Sequence, residues 1–185
     1  TITGAGYLVD FRSSTNAKLV NNGTMTATSS SRALYINNSA NTTITNNGTI
    51  QISSSSAYEA IDGDSTTDLT ITNSGTISSA GDDAIAIASA EDVTITNSGT
   101  ISAADDNILD ADGIDGLTVT NSGTMSATDD FGFYMRNASG TLTINNSGTI
   151  TSAIYPMYYT IKSGSTATLN LTNSGTITLT DGAPY

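Results

Sequence analysis

The chain has 185 residues, of which 17 are acidic, 5 are basic and only 37% are apolar, so its net charge is −12. This balance argues against binding to nucleic acid or to anionic lipid, because both need clustered lysine and arginine. The absence of cysteine and histidine excludes disulfides, thiolate chemistry and the commonest general base, and no apolar run reaches the ~18 residues of a membrane-spanning helix.

A short phrase, Asn-Ser-Gly-Thr or a close variant of it, recurs along the whole sequence. Successive glycines of this phrase are separated by 24 to 27 residues. They are Gly23, Gly48, Gly75, Gly99, Gly123, Gly148 and Gly175. A period of this length is typical of solenoid proteins, in which each repeat forms one coil.

Each repeat contains three predicted strands. The first strand precedes the glycine, as in Thr70-Ile71-Thr72, and the second strand follows it, as in Thr76-Ile77-Ser78. The third strand comes after a loop, as in Ala84-Ile85-Ala86-Ile87. Alternating apolar and β-branched polar residues predict half-buried strands, since successive side chains of a strand point to opposite faces.

An asparagine lies two residues before the glycine in every phrase. These residues are Asn21, Asn46, Asn73, Asn97, Asn121, Asn146 and Asn173. Stacked coils place such amides above one another, so we predict a hydrogen-bonded asparagine ladder. The glycine is expected to supply a backbone position with positive φ in the turn.

The pattern predicts an all-β fold, a parallel β-helix (β-solenoid) of about seven coils of 24–27 residues with three strands per coil. One repeat cannot bury its apolar face alone, but stacked repeats close a continuous narrow core. We expect a single domain over residues 1–185. Neither end carries an obvious polar cap, so we expect either an excerpt of a longer array or a subunit that stacks end to end.

The phrases LTITNSGTISS (residues 69–79) and VTITNSGTISA (residues 93–103) resemble the repeats of bacterial autotransporter passenger domains and related large secreted β-helical, adhesin-like exoproteins. The resemblance covers nearly the whole chain. It implies right-handed coiling, export from a Gram-negative cell and an extracellular or cell-surface location. That family includes adhesins, biofilm scaffolds, proteases and passive stalks, so the resemblance indicates the fold more narrowly than the function.

The third strand and its flanks vary most between repeats and contain seven of the eight tyrosines. In Leu34-Tyr35-Ile36 and Phe133-Tyr134-Met135 the alternation places the tyrosines outward. Outward tyrosines near arginine can stack on sugars or anchor a protein partner, or they can pack against neighbouring loops or cap an end. The candidate binding residues are Tyr35, Tyr58, Tyr134, Arg136 and Tyr158.

Acidic residues concentrate in the middle repeats. Six aspartates occupy nearly the same register after their glycines: Asp82, Asp83, Asp105, Asp106, Asp129 and Asp130. A second, looser column is predicted for Asp68, Asp92 and Asp115. Stacked carboxylates repel one another, and carboxylate oxygens suit Ca²⁺, so Ca²⁺ at these six residues is one interpretation. The other is a solvated acidic corner that keeps the rod soluble.

The function that the sequence favours is a non-enzymatic structural or adhesive rod, with a host or community surface, a glycan or a protein as partner. Homotypic end-to-end or lateral assembly into fibres is a further expectation. One alternative is ice binding by the stacked Thr-x-Thr face, of which Thr70 and Thr72 are an example. A second alternative is a polysaccharide-degrading β-helix enzyme that uses Asp105-Asp106 or Asp129-Asp130 as paired carboxylates.

Overall fold

The structure is a computed structural model that describes residues 1–29, 31–55 and 58–180. These residues form parallel strands stacked into a β-solenoid of about seven turns, which confirms the predicted fold class. No helix long and apolar enough to cross a membrane occurs in the described part of the chain. The successive coils repeat the same three strand positions, and strands at one position pair with each other.

The strands fall into three sets. The first strands are Lys18–Asn21, Thr43–Asn46, Thr70–Asn73, Glu91–Asn97, Asp115–Asn121 and Ala167–Asn173. The second strands are Ile2–Gly4, Thr24–Ala27, Thr49–Ile52, Thr76–Ser79, Thr100–Ala103, Thr124–Ala127, Thr149–Ser152 and Thr176–Leu179. The third strands are Val9–Asp10, Leu34–Tyr35, Ile61–Asp62, Ile85–Ala86, Leu109–Asp110 and Met157–Ile161. One long strand, Phe133–Asn146, occupies a third-strand position and continues into the next first-strand position.

Equivalent residues of neighbouring coils pair in register, so the core consists of aliphatic columns. Ile77 pairs with Ile50 on one side and with Ile101 on the other, and all three are fully buried. The alternation seen in the sequence therefore directs every second side chain inward. Burying one such side chain stabilises the fold by roughly 1.5–3 kcal/mol.

The asparagines of the seven phrases form a continuous ladder, and all of them except the exposed Asn173 are buried inside the solenoid. Asn97 donates from Nδ2 to Oδ1 of Asn121 at 2.8 Å, and its own Oδ1 accepts from Nδ2 of Asn73 at 2.8 Å. The same Nδ2 contacts the carbonyl oxygens of Gly99 and Thr124 at 3.2 and 3.1 Å. Each interior asparagine is thus a buried polar group whose donor and acceptor are both satisfied, as burial requires.

The turn glycines are required for close approach between coils. None of the seven has a positive φ, so the sequence-based expectation of a left-handed turn position was wrong. A Cβ atom added to Gly75 would lie 1.9 Å from the carbonyl oxygen of Gly48, and one added to Gly99 would lie 2.1 Å from that of Gly75. Only a residue without a side chain lets adjacent turns stack at the strand spacing.

Positive φ values occur instead at the corner between the third and first strands, at two positions three residues apart in most coils. The earlier position is Ser13, Asn38, Ser65, Ser89, Gly113 and Asn137, and the later one is Asn16, Asn41, Asp68, Asp92, Gly116 and Gly140. Asparagine, aspartate and glycine tolerate this conformation best. The register between coils also shows that the predicted column of Asp68, Asp92 and Asp115 is wrong. Asp115 pairs with Glu91, and Gly116 occupies the position equivalent to Asp92.

Candidate functional site on the third-strand face

The outward side chains of the third strands and their flanks form one surface, which we call the third-strand face. Three columns run along it. The first column is Tyr7, Arg32, Glu59, Asp83, Asn107, Phe131 and Tyr155. The second column is Asp10, Tyr35, Asp62, Ala86, Asp110, Tyr134 and Tyr158. The third column is Arg12, Asn37, Asp64, Ala88, Asp112 and Arg136. Read along the rod, the face is aromatic and basic, then acidic, then aromatic again.

The first aromatic cluster consists of Tyr7, Arg12, Arg32, Tyr35 and Tyr58. The rings of Tyr7 and Tyr35 lie 4.8 Å apart. Arg12 lies 4.7 Å from the centre of the Tyr35 ring, and Arg32 lies 4.9 Å from Tyr35 and 4.7 Å from Tyr58. Each cation–π contact of this kind contributes about 0.5–1 kcal/mol at an exposed site, so this cluster is held together by alternating rings and guanidinium groups.

The second aromatic cluster consists of Phe131, Tyr134, Arg136, Tyr155 and Tyr158. Phe131 lies at its centre, with its ring 5.1, 5.8 and 5.5 Å from those of Tyr134, Tyr155 and Tyr158. Tyr134 stacks on Tyr158 at 5.3 Å, and Arg136 lies 4.7 Å above the Tyr134 ring. Tyr155 and Tyr158 are 45% and 36% exposed, so their rings present apolar surface to solvent.

The five candidate binding residues therefore belong to two separate groups. Tyr35 and Tyr58 lie in the first cluster, whereas Tyr134, Arg136 and Tyr158 lie in the second. The candidate set lacked the other members, Tyr7, Arg12, Arg32, Phe131 and Tyr155. Alignment of the third strands in register would have found them, because Arg12 shares a column with Arg136, and the other four lie in the column next to that of Tyr35, Tyr134 and Tyr158.

The acidic middle of the face contains a buried ion-pair network. Arg32 Nε lies 2.5 Å from Oε1 of Glu59 and 2.5 Å from Oδ2 of Asp62, and Asp62 is only 1% exposed. Burial raises the pKa of both carboxyls against the lowering effect of the Arg32 guanidinium. In contrast, the Arg136–Asp112 pair at 2.8 Å is solvent-exposed, and pairs of that kind contribute little to stability.

The structure brings together three of the six aspartates named for the acidic corner. Carboxylate oxygens of Asp82, Asp83 and Asp106 all lie within 4.8 Å of one another. Asp83 is equivalent to Asn107 of the next coil, so the two aspartate pairs are offset by one residue. Asp105 and Asp129 are exposed, and Asp130 accepts a hydrogen bond from the Phe131 amide at 2.9 Å outside this group.

Asp83 is the most perturbed of these carboxyls. Its Oδ1 accepts hydrogen bonds from the backbone N and from Nδ2 of Asn107, at 3.0 and 2.9 Å. Burial, reinforced by the charges of Asp106, Asp110 and Asp82, raises the pKa of Asp83 to about 9. In metal-free solution at neutral pH this side chain therefore carries a proton.

The raised pKa of Asp83 predicts that the metal-free protein loses stability as the pH rises. A carboxyl whose folded pKa exceeds its unfolded value stabilises the fold fully below the unfolded pKa of about 4. That contribution falls by up to about 1.4 kcal/mol per pH unit until the pH reaches the folded pKa. In EDTA we expect the melting temperature to fall by about 2–4 °C per unit between pH 5 and pH 8, measured by circular dichroism.

The control for this pH dependence is the exposed Asp105. Asp83→Asn mimics the protonated carboxyl, so it should flatten the melting-temperature profile, whereas Asp105→Asn should leave the wild-type slope unchanged. A wild-type profile that is flat or rises from pH 5 to pH 8 would contradict the assignment of a buried, protonated Asp83.

A comparison with known protein families identifies these repeats. The family model described as the BigA fourth domain matches residues 3–107, more than half of the chain. The chain belongs to this family. The match supports a bacterial surface or secreted protein of adhesin type. No curated protein and no solved structure matches the chain.

The matched residues include some features of the third-strand face and exclude others. The part that corresponds to the BigA fourth domain includes the first aromatic cluster and the group formed by Asp82, Asp83 and Asp106, while the second aromatic cluster lies beyond it. Features on both sides of residue 107 nevertheless share the same columns, since the solenoid continues in register from Leu109 to Phe133.

The first-strand face of this BigA fourth-domain chain carries the threonine array noted in the sequence. Its two columns are Thr43, Thr70, Thr94, Thr118 and Thr143, and then Thr45, Thr72, Thr96 and Thr120, all paired in register. Lys18, Asn145 and Asn170 occupy equivalent positions at the ends of the columns. The array is therefore a regular hydroxyl-bearing surface of limited length.

Proposed function

We propose that the chain is a non-enzymatic adhesive rod of the bacterial surface that binds a neutral glycan through its second aromatic cluster. The observation that carries the proposal is the exposure of the Tyr155 and Tyr158 rings around the Phe131 ring. Clustered exposed aromatic rings on one face of a protein are typical of a binding surface.

The cluster has the chemical groups that a sugar needs. Aromatic faces can cover the apolar C–H surface of a pyranose ring. Next to them, Arg136 Nη2 and Asn137 Nδ2 donate to the carboxylate of Asp112, both at 2.8 Å. These exposed groups offer donors and acceptors to sugar hydroxyls. Tyr134 and Tyr158 lie on the paired strands Phe133–Asn146 and Met157–Ile161. The backbone next to Phe131 and Tyr155 is also paired, since the Gly132 amide donates to the Tyr155 carbonyl oxygen at 2.8 Å, so binding would order little of the backbone.

The charge of the chain narrows the class of partner. A net charge of −12 repels sulfated or sialylated glycans at close range, so a neutral glycan fits better. A hydrolytic role is less well supported. Of the two aspartate pairs considered for it, each includes an exposed member, Asp105 or Asp129, so neither pair is enclosed as the polar groups of a substrate cleft usually are.

We also propose export to the cell surface and assembly into fibres, both of which are expected from the sequence. Export to the cell surface follows the resemblance to autotransporter passenger repeats, and assembly of rods into fibres would multiply weak glycan contacts through avidity. The in-register threonine columns favour ice binding as an alternative, but the aromatic cluster supplies more apolar contact area for a partner.

The test is a carbohydrate array of neutral and acidic glycans, followed by affinity measurement with biolayer interferometry. We expect retention of neutral glycans and a loss of affinity of at least about tenfold in the double variant Tyr155→Ser, Tyr158→Ser, because each buried aromatic contact at a binding site contributes about 1–2 kcal/mol or more. The melting temperature of the variant checks that the solenoid is intact.

Val20→Ser is the matched control, since Val20 is 49% exposed on the first-strand face. This variant should bind like the wild type. Equal loss of binding in Val20→Ser, or an array on which no neutral glycan is retained, would contradict the proposed function. Retention of a protein ligand alone would replace the glycan with a protein partner.

A further inference from the structure

A separate candidate site lies at the loop edge of the third-strand face, where Asp82, Asp83 and Asp106 converge. Their carboxylate oxygens all lie within 4.8 Å of one another. Oxygens on opposite sides of one Ca²⁺ ion are about 4.6–5.2 Å apart, given Ca–O distances of 2.3–2.6 Å. Separations within 4.8 Å are therefore compatible with one Ca²⁺ ion shared by the three carboxylates.

The group has no basic partner among the ion pairs of the described residues. Those pairs join Arg12 to Asp10, Arg32 to Glu59 and Asp62, and Arg136 to Asp112. Three carboxyls at close range are stable together only if protons or a cation reduce their mutual repulsion. This arrangement alone describes an acidic cluster, and the residue that points to a ligand is Asn107.

The side chain of Asn107 extends into the cluster and is only 6% exposed. Its Nδ2 lies 2.9 Å from Oδ1 of Asp83 and 2.6 Å from Oδ1 of Asp106. Its Oδ1 is fully buried and has no hydrogen-bond partner. A buried unpaired acceptor of this kind costs about 1–3 kcal/mol, so the metal-free arrangement leaves this amide only half satisfied.

Rotation of the Asn107 amide would make its oxygen available to a cation held by the carboxylates. The two ends of a carboxamide have nearly the same shape, so rotation by 180° exchanges the positions of Nδ2 and Oδ1. Oδ1 would then lie among the carboxylate oxygens, where only a cation makes its presence favourable. The result is a set of hard oxygen ligands from two adjacent coils, the donor type that Ca²⁺ prefers.

We propose that Asp82, Asp83, Asp106 and the amide oxygen of Asn107 bind one hard divalent cation, best matched by Ca²⁺. The ion links adjacent coils and so stabilises the middle of the solenoid. Asp105, Asp129 and Asp130, which the sequence grouped with these residues, lie outside the site. This inference does not depend on glycan binding, since the second aromatic cluster is formed by other side chains.

The experiment is titration of the EDTA-stripped chain with CaCl₂ at pH 7, followed by isothermal titration calorimetry and by melting temperature. We expect one saturable site and a rise in melting temperature that grows with Ca²⁺ concentration, as binding to the folded state alone requires. Asp106→Asn should weaken Ca²⁺ binding by at least about tenfold. Asp105→Asn removes the same charge from an adjacent exposed position and should bind Ca²⁺ like the wild type.

Two further measurements keep the outcome interpretable. Asp83→Asn keeps the shape of the side chain but removes a carboxylate ligand, so it should fold in EDTA and fail to gain melting temperature from Ca²⁺. NaCl at equal ionic strength separates a specific site from general screening. The proposal is overturned if Ca²⁺ at millimolar concentration gives no saturable heat, if NaCl reproduces the stabilisation, or if Asp105→Asn loses binding as fully as Asp106→Asn.

Discussion

Gly99→Ala is expected to destabilise the solenoid by about 3 kcal/mol or more. The added Cβ atom would lie 2.1 Å from the carbonyl oxygen of Gly75, and that oxygen already accepts a hydrogen bond from the Thr100 amide at 2.8 Å. Neither partner can rotate away, because both belong to paired backbone. Relief of the clash requires separation of two coils, which breaks pairing in the strands that flank the turn. Urea denaturation gives the free energy of unfolding directly.

Gly6→Ala provides the control for this prediction. A Cβ atom at Gly6 meets nothing within 4 Å, and Gly6 is not among the residues with positive φ. We expect this variant to change the free energy of unfolding by less than about 0.5 kcal/mol. If Gly99→Ala and Gly6→Ala had equal stability, close approach between coils would not be the reason for glycine in the turn.

The coil and its core could be predicted from the sequence because they depend on a period that every repeat shares. The alternation around Ile71 and Ile77 identified the inward faces, and the recurrence of the whole phrase fixed which residues stack. In the structure Ile71 pairs with Ile44 and Ile95. A strictly repeated pattern needs no knowledge of loop geometry, since in-register stacking places like residues upon like residues.

The role of the turn glycine could not be predicted from local sequence. Asparagine or serine followed by glycine usually indicates a turn with positive φ, and that rule applies to a single chain segment. Here the constraint on Gly75 comes from Gly48 in the neighbouring coil, a contact between residues 27 positions apart. The positive φ values lie at corner residues such as Asn41 and Asp68, where the sequence contains no single recurring residue.

The candidate site was harder to predict because repeats of unequal length must absorb extra residues in loops. Distance from the turn glycine grouped six aspartates in one column, but the pairing places Asp83 beside Asn107. A shift of one residue changes the neighbours of every side chain. The role of Arg32 between Glu59 and Asp62 has the same origin, since it depends on register between coils.

Asn97→Asp is expected to destabilise the chain by about 3–5 kcal/mol at pH 7. The substitution keeps the shape of the side chain but replaces a donor with an acceptor. The new carboxylate would face Oδ1 of Asn121 and the carbonyl oxygen of Thr124, which now lie 2.8 and 3.1 Å from Nδ2. Asn97 is fully buried, so water cannot compensate for the repulsion. Urea denaturation should show partial recovery at pH 4, where a protonated carboxyl can donate one hydrogen bond.

Asn47→Asp introduces the same charge on the surface, one residue after a ladder position. Asn47 donates to Oδ1 of Asn22 at 2.8 Å, but both side chains are exposed, so water replaces the lost partner. We expect a cost below about 1 kcal/mol. A similar loss in Asn97→Asp and Asn47→Asp would mean that the added charge, rather than the broken ladder, causes the instability. A large difference that shrinks at pH 4 identifies the buried amide ladder as the contact that holds successive coils in register.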